Sequence, residues 1–142
     1  MAASVLTLRE IETLLADEFP QAFFPGSGLS VEQVEFGACR VKQAYDPKQI
    51  RPGGTISGPT MMALADFAMY VAVFSAAGRV PLAVTTNLNI NFLRKPAQAD
   101  LIAEAKLLKR GKRLVVGEVT IYSQGEGEPV AHVTSTYSIP PA

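Results

Sequence analysis

The chain has 142 residues, 48% of them hydrophobic and only 18% charged. That apolar content excludes a disordered tail, and the length suits one compact domain spanning residues 1–142. Thirteen basic residues balance thirteen acidic ones, so no global field draws in nucleic acid or an anionic membrane. One cysteine, Cys39, excludes an intrachain disulfide. With one histidine, His132, zinc would need several clustered carboxylates, which the sequence does not offer, and a Ser-His-Asp triad is disfavoured because His132 alone would have to serve it. Any chemistry here runs on carboxylates, hydroxyls and backbone amides.

Thr7-Leu8-Arg9-Glu10 reads as a capping box, with Leu8, Ile11 and Leu15 at helical spacing behind it. The spacing predicts a short amphipathic helix that stops near Pro20. Phe23 to Gly28 is a turn-rich connector, and Val31 to Ala38 with Cys39 to Tyr45 suggests a first strand or hairpin. Asp46-Pro47 and Arg51-Pro52-Gly53-Gly54 mark a long loop in which regular structure is not expected. After Ser57-Gly58-Pro59, which supplies a cap and a first-turn proline, the run to Phe74 is apolar on nearly every face. Such a helix is expected to be buried all round, with Gly78 as its stop. It is too short for a bilayer span and carries Asp66 at its centre. No export signal is evident, so the expectation is a soluble, cytoplasmic protein. Val84 to Phe92 alternates at period two, with Thr85, Asn87, Asn89 and Asn91 on one face. Leu101 to Lys109, Leu114 to Tyr122 and Val130 to Ile139 complete four strands, predicted to meander as an antiparallel sheet against the helix. The fold class is α+β.

Asp66 is the residue that asks most of its surroundings, because a carboxylate inside an apolar helix loses hydration worth several kcal/mol. Two readings stand open. It is a structural group paired with an arginine such as Arg51 or Arg94, or it is a general base or nucleophile. The loop with Gly53, Gly54 and Gly58 feeds a helix N-terminus whose free amides suit an oxyanion, although ordinary turn chemistry uses the same residues. Gly58 and Asp66 lie eight residues apart, roughly 12 Å along a helix, too far to serve one carbonyl. A catalytic pairing of the two therefore requires helices packed antiparallel across a two-fold axis, a dimer with two shared sites.

Three segments carry a resemblance. Ser57-Gly58-Pro59-x5-Leu64-Ala65-Asp66, then Asn89-Ile90-Asn91-Phe92-Leu93-Arg94, then Lys109-Arg110-Gly111-Lys112-Arg113 resemble the hotdog-fold acyl-CoA thioesterases of the phenylacetate-degradation type. The likeness runs from about Val31 to Ile139 and leaves the N-terminal helix as an addition. It implies a long helix wrapped by an antiparallel sheet, a dimer joined sheet edge to sheet edge, and often a tetramer. It also implies hydrolysis of an acyl-CoA thioester without a cofactor or metal, with Asp66 as base or nucleophile and the Gly58 N–H as oxyanion donor. A hydroxyl residue after the helix maps onto Thr85 as a water-orienting group, against the alternation that puts Thr85 with the asparagines. Arg51, Ser57, Asn89 and Arg94 fall where the resemblance implies substrate binding. The family's usual His-Gly-Gly reads Ser57-Gly58-Pro59 here, and its frequent asparagine six residues earlier is Arg51.

Lys109, Arg110, Lys112 and Arg113, with Arg94 and Lys95, are candidates for holding the phosphates of coenzyme A; the competing reading is a solvated hairpin tip. Tyr45, Phe67, Met69 and Tyr70 line an acyl pocket or simply fill the core. His132 reads as structural and Cys39 as inert. Two rivals remain: an acyl-CoA binding or sensing protein that lost the family histidine and the chemistry, and a hotdog dehydratase, which the scarcity of histidine disfavours.

Overall fold

The computed structural model describes residues 2–141. The N-terminal helix α1 spans Leu8–Glu18 and is closed by the capping box that the sequence predicts. Thr7 Oγ1 accepts from the Glu10 amide at 3.1 Å, and Glu10 Oε1 accepts from the Thr7 amide at 2.9 Å. Leu6 and Ile11, at the positions of a hydrophobic staple, are both buried. Strands β1 (Leu29–Glu35) and β2 (Ala38–Gln43) form the first hairpin. The Pro/Gly loop is more regular than expected. It holds a 3-10 turn at Pro47–Gln49 capped by Asp46, and a two-residue ladder between β3 (Ile50–Arg51) and β4 (Thr55–Ile56).

The long helix α2 spans Gly58–Ala77, about 30 Å by its 20 residues. Ser57 is its N-cap, Gly58 its first residue and Pro59 its second, where the missing N–H would have had no helical partner. Gly78, at φ 85°, stops it. Among the described residues this is the one helix long and apolar enough to cross a membrane. Its burial identifies it as the core: Met69, Val71, Val73 and Phe74 are fully inaccessible, each contributing about 1.5–3 kcal/mol. Burial is not complete all round. Pro59, Met62 and Ala63 are exposed and Asp66 is half-buried, a stripe at i, i+3, i+4 and i+7 that the described residues leave largely open, with β5 and β8 reaching Asp66.

Strands β5 (Val84–Phe92), β6 (Leu101–Arg110), β7 (Leu114–Ser123) and β8 (Ala131–Ser138) join β1 and β2 in a six-stranded antiparallel sheet of order β1-β2-β6-β7-β8-β5. Strands β6 to β8 meander as expected, but β5 does not precede β6 in the sheet. It lies on the far edge beside β8, and the segment 93–100 carries the chain across to the sheet centre. A close approach fixes helix against sheet: a Cβ on Gly117 would fall 2.6 Å from Met69 Sδ and 3.0 Å from the Lys106 carbonyl oxygen, so α2 rests on β7 where that side chain is missing.

Strand β5 is an edge of an unusual kind. It contains no charge and no proline over nine residues, two of the usual protections of exposed edges. The flanking apolar residues are open to solvent, Leu82 at 74% and Val84 at 56% at one end, Phe92 and Leu93 at the other.

Candidate active site

Asp66 leaves α2 toward the start of β5 and the end of β8. Thr85 Oγ1 donates to Asp66 Oδ1 at 2.5 Å, and Tyr137 Oη donates to the same oxygen at 2.8 Å. Tyr137 Oη also lies 2.9 Å from the main-chain oxygen of Asp66. The other carboxylate oxygen, Oδ2, has no hydrogen-bond partner among the described residues, and neither Arg51 nor Arg94 pairs with the group. Asp66, Thr85 and Tyr137 sit in the wall of a cavity of about 530 Å3 that Phe19, Phe67 and Tyr70 also line. Its lining is mainly aromatic and aliphatic, suited to an apolar group placed next to a carboxylate.

Thr85 reaches this position through a backbone irregularity that strict alternation hides. The β5–β8 register shifts between Thr85 and Asn87: Thr85 pairs with inward-facing Tyr137, while Asn87 pairs with outward-facing Thr136. The bulge inserts Thr86 and turns Thr85 to the helix face. Thr85 is thus not on the asparagine face. Asn89 is: it pairs with Thr134, is exposed, and lines neither the Asp66 cavity nor the Gly58 cavity.

Gly58 lies in a second cavity, of about 470 Å3, with Arg51, Phe92, Arg94 and Lys95. As the first helical residue its N–H has no acceptor within the helix. A Cβ at Gly58 would come 3.1 Å from Phe92 Cζ, so the ring of Phe92 lies against the bare Cα. Ser57, in the place of the family histidine, uses its hydroxyl on the helix itself, sharing a 2.8 Å hydrogen bond with Thr60 Oγ1. Arg51 is exposed at the cavity wall. Arg94 is held by Glu128 at 2.7 Å and by the Pro129 carbonyl at 2.9 Å.

The six cations do not form one cluster within the chain. Lys109, Arg110, Lys112 and Arg113 occupy the β6–β7 tip, at the end of the sheet where Leu114, Ser138 and Val84 line up. Arg94 and Lys95 follow Phe92 at the other end. Arg110 stacks over Phe36, 5.6 Å from the ring centroid. Of the proposed pocket residues, Phe67 and Tyr70 line the Asp66 cavity, whereas Met69 is core and Tyr45 lies beside the 3-10 turn. His132 Nε2 is 2.9 Å from Glu118 Oε1 on the outer sheet face, a partner two residues out of direct register. Cys39 donates its thiol to the Ala68 carbonyl, and burial pushes its pKa up to about 12, so it is no nucleophile.

Tyr137 is the site residue that sequence reasoning missed. Burial and then the charge of Asp66 push its phenol far above the ordinary tyrosine range, so it remains a proton donor. Its signal was the inward alternation of Val133, Ser135 and Tyr137 on β8, since a buried tyrosine hydroxyl requires a partner. Phe19 was also missed, because nothing local ties the end of α1 to a cavity. Its ring meets Tyr70 edge-on at 5.9 Å. No group of histidine, cysteine, aspartate and glutamate suited to a metal ion occurs among the described residues.

A long helix wrapped by an antiparallel sheet, with an acidic side chain in a cavity beside the helix, defines a hotdog-fold thioesterase architecture. The thioesterase superfamily model matches residues 53–130, more than half of the chain, and the protein belongs to that family of hydrolases acting on thioesters. A curated relative from Saccharolobus solfataricus, named "Putative esterase", is 31% identical over 118 residues, which cover 83% of this chain and 76% of the relative. A solved structure from Silicibacter, described as a "putative thioesterase", is 39% identical with a TM-score of 0.85, covering 97% of this chain and 94% of that one. The Escherichia coli PaaI protein from the phenylacetic acid degradation operon shares the fold at 21% identity, with a TM-score of 0.77 over 96% of this chain and 98% of its own.

Proposed function

We propose that the protein hydrolyses an acyl-CoA thioester to the free acid and CoA, at sites shared between two subunits of a homodimer or of a tetramer built from it. The observation that carries this reading is the division of the machinery. Asp66 and the Gly58 amide line different cavities, one beside the Val84–Thr85 end of β5 and one beside its Phe92 end. Pairing of β5 with its own copy, antiparallel about a two-fold axis at mid-strand, satisfies the unprotected edge and covers the apolar residues at both ends. It also lays each end of the strand against the opposite end of its copy. Asp66 of one protomer then faces Gly58 of the partner subunit, and the β6–β7 tip faces Arg94 of the partner subunit. The split cations reunite at a mouth suited to the phosphates of CoA.

In this site the thioester carbonyl oxygen accepts from the Gly58 N–H at the positive end of α2. Asp66 Oδ2 takes a proton from water as the water oxygen bonds to the carbonyl carbon. The tetrahedral intermediate collapses with cleavage of the C–S bond, and the proton on Asp66 passes to the leaving sulfur. Direct attack by Oδ2, giving an anhydride that water opens, would employ the same free oxygen. The acyl group occupies the cavity walled by Phe19, Phe67 and Tyr70. Thiol release from short, long and aryl acyl-CoAs, measured for the wild type and Asp66→Asn, tests the reading. Turnover abolished in the variant supports it; tight binding with no wild-type turnover would make the protein an acyl-CoA sensor.

A further inference from the structure

Resting on the proposed role of Asp66, we infer that Tyr137 is a positioning residue that, with Thr85, locks the Asp66 side chain so that Oδ2 alone faces the reacting atoms. The terminal torsion of an aspartate is broad and roughly two-fold, so an untethered carboxylate sweeps through an arc and presents either oxygen. Here two hydroxyls on two different strands converge on Oδ1, from Thr85 at 2.5 Å and Tyr137 at 2.8 Å. A buried phenol needs one acceptor, and the main-chain oxygen of Asp66 at 2.9 Å would satisfy it. The added approach to the side-chain oxygen is what fixes the carboxylate.

The clamp is itself rigid. Tyr137 is 3% exposed, stacks on Tyr70 at 6.2 Å between ring centroids, and is paired on both sides, with Thr85 of β5 and Val115 of β7, one residue before the end of β8. Thr85 is turned to the helix face by the bulge at Thr86 beside it. The titratable groups facing Asp66 across the cavity are Tyr137 from β8, Tyr70 from α2 and Glu18 from the end of α1. None is a cation, so hydroxyl donors are what this chain supplies to the carboxylate. Family members with a histidine before α2 have another polar group at the site; here Ser57 is committed to its cap, which leaves geometry to the clamp. Misplacement of a reacting atom by a fraction of an ångström is expensive in rate. The effect of loosening the clamp therefore falls on kcat.

The test is Tyr137→Phe in the full-length protein, which keeps the ring stacked on Tyr70 and removes only the donor. With an acyl-CoA that the wild type hydrolyses, kcat falls on the order of tenfold with KM little changed. A readout independent of turnover is isotope-edited infrared of the Asp66 carboxylate, identified by subtraction of Asp66→Asn. The splitting between its two C–O stretches narrows when Tyr137 no longer loads one oxygen. Unchanged kcat and splitting in Tyr137→Phe, with Asp66→Asn inactive, would overturn the clamp and leave the thioesterase reading standing. Full turnover in Asp66→Asn would instead remove the reading on which the clamp rests.

Discussion

Gly58→Pro isolates the oxyanion donor more cleanly than any side-chain deletion, because the group to be removed is a backbone proton. Proline is tolerated in the first turn of a helix, where the N–H has no helical acceptor. The preceding residue, Ser57, already has φ −69° and ψ 152°, the extended conformation a following proline demands. The new Cβ would lie 3.1 Å from Phe92 Cζ, and, on a helical residue that precedes Pro59, it also crowds the proline ring. The Phe92 ring is half-exposed at the edge of the sheet and can retreat by a few tenths of an ångström. Loss of unfolded-state entropy, about 0.4–1 kcal/mol in favour of the variant, offsets part of that cost, so Tm should stay within a few degrees. Gly58→Ala meets the same contact but keeps the N–H, and serves as the steric control. Losing one oxyanion donor costs about 2.7–4 kcal/mol of transition-state stabilisation, a factor of about 100–1000 in kcat. Steady-state hydrolysis of one acyl-CoA by the three proteins should rank wild type, then Gly58→Ala within about tenfold, then Gly58→Pro lower by about 100-fold or more. Equal turnover in the alanine and proline variants would show that the amide takes no part.

Asp66→Asn retains an oxygen that accepts from Thr85 and Tyr137 while removing the free basic oxygen, so turnover falls by about 100-fold or more as Tm, followed by calorimetry, holds within a few degrees. Asn89→Lys places like charges near the two-fold axis of the proposed β5 pairing. Light scattering should show dissociation toward monomer, with activity falling in step; an unchanged dimer would move the interface elsewhere. Removing the charges of Lys109, Arg110, Lys112 and Arg113 should weaken CoA binding and flatten its dependence on ionic strength, measured by calorimetric titration at two salt concentrations.

Local signals brought out much of the architecture. The capping box at Thr7, the apolar run after Ser57, the stop at Gly78 and the hairpin around Arg110-Gly111-Lys112 each depend on contacts within a few residues, and each has its counterpart in the structure. The position of β5 depends on where α2 lays the chain down, a tertiary outcome that hairpin spacing does not encode. The same holds for the site. Asp66 stands out as a charge in an apolar helix, and Gly58 as a free helix start. Strict alternation puts Thr85 on the wrong face because one inserted residue reverses it, and Tyr137, 71 residues from Asp66, has no local reason to be its partner. The open stripe of Pro59, Met62, Ala63 and Asp66 has no local signal either, since a helix apolar on all faces reads the same whether its cover is the same chain or another.

Subunit complementation tests the shared site most directly. Asp66→Asn and Gly58→Pro are each prepared as pure proteins, then mixed in equal amounts under conditions that exchange subunits. If each site takes its carboxylate from one subunit and its amide from the other, a heterodimer contains one site with both lesions and one intact site. Random exchange makes half the dimers hybrid, so activity should climb from near zero to about a quarter of the wild-type value. If exchange is verified and activity stays at the level of the separate variants, carboxylate and amide do not meet across a two-fold axis, and the account is wrong.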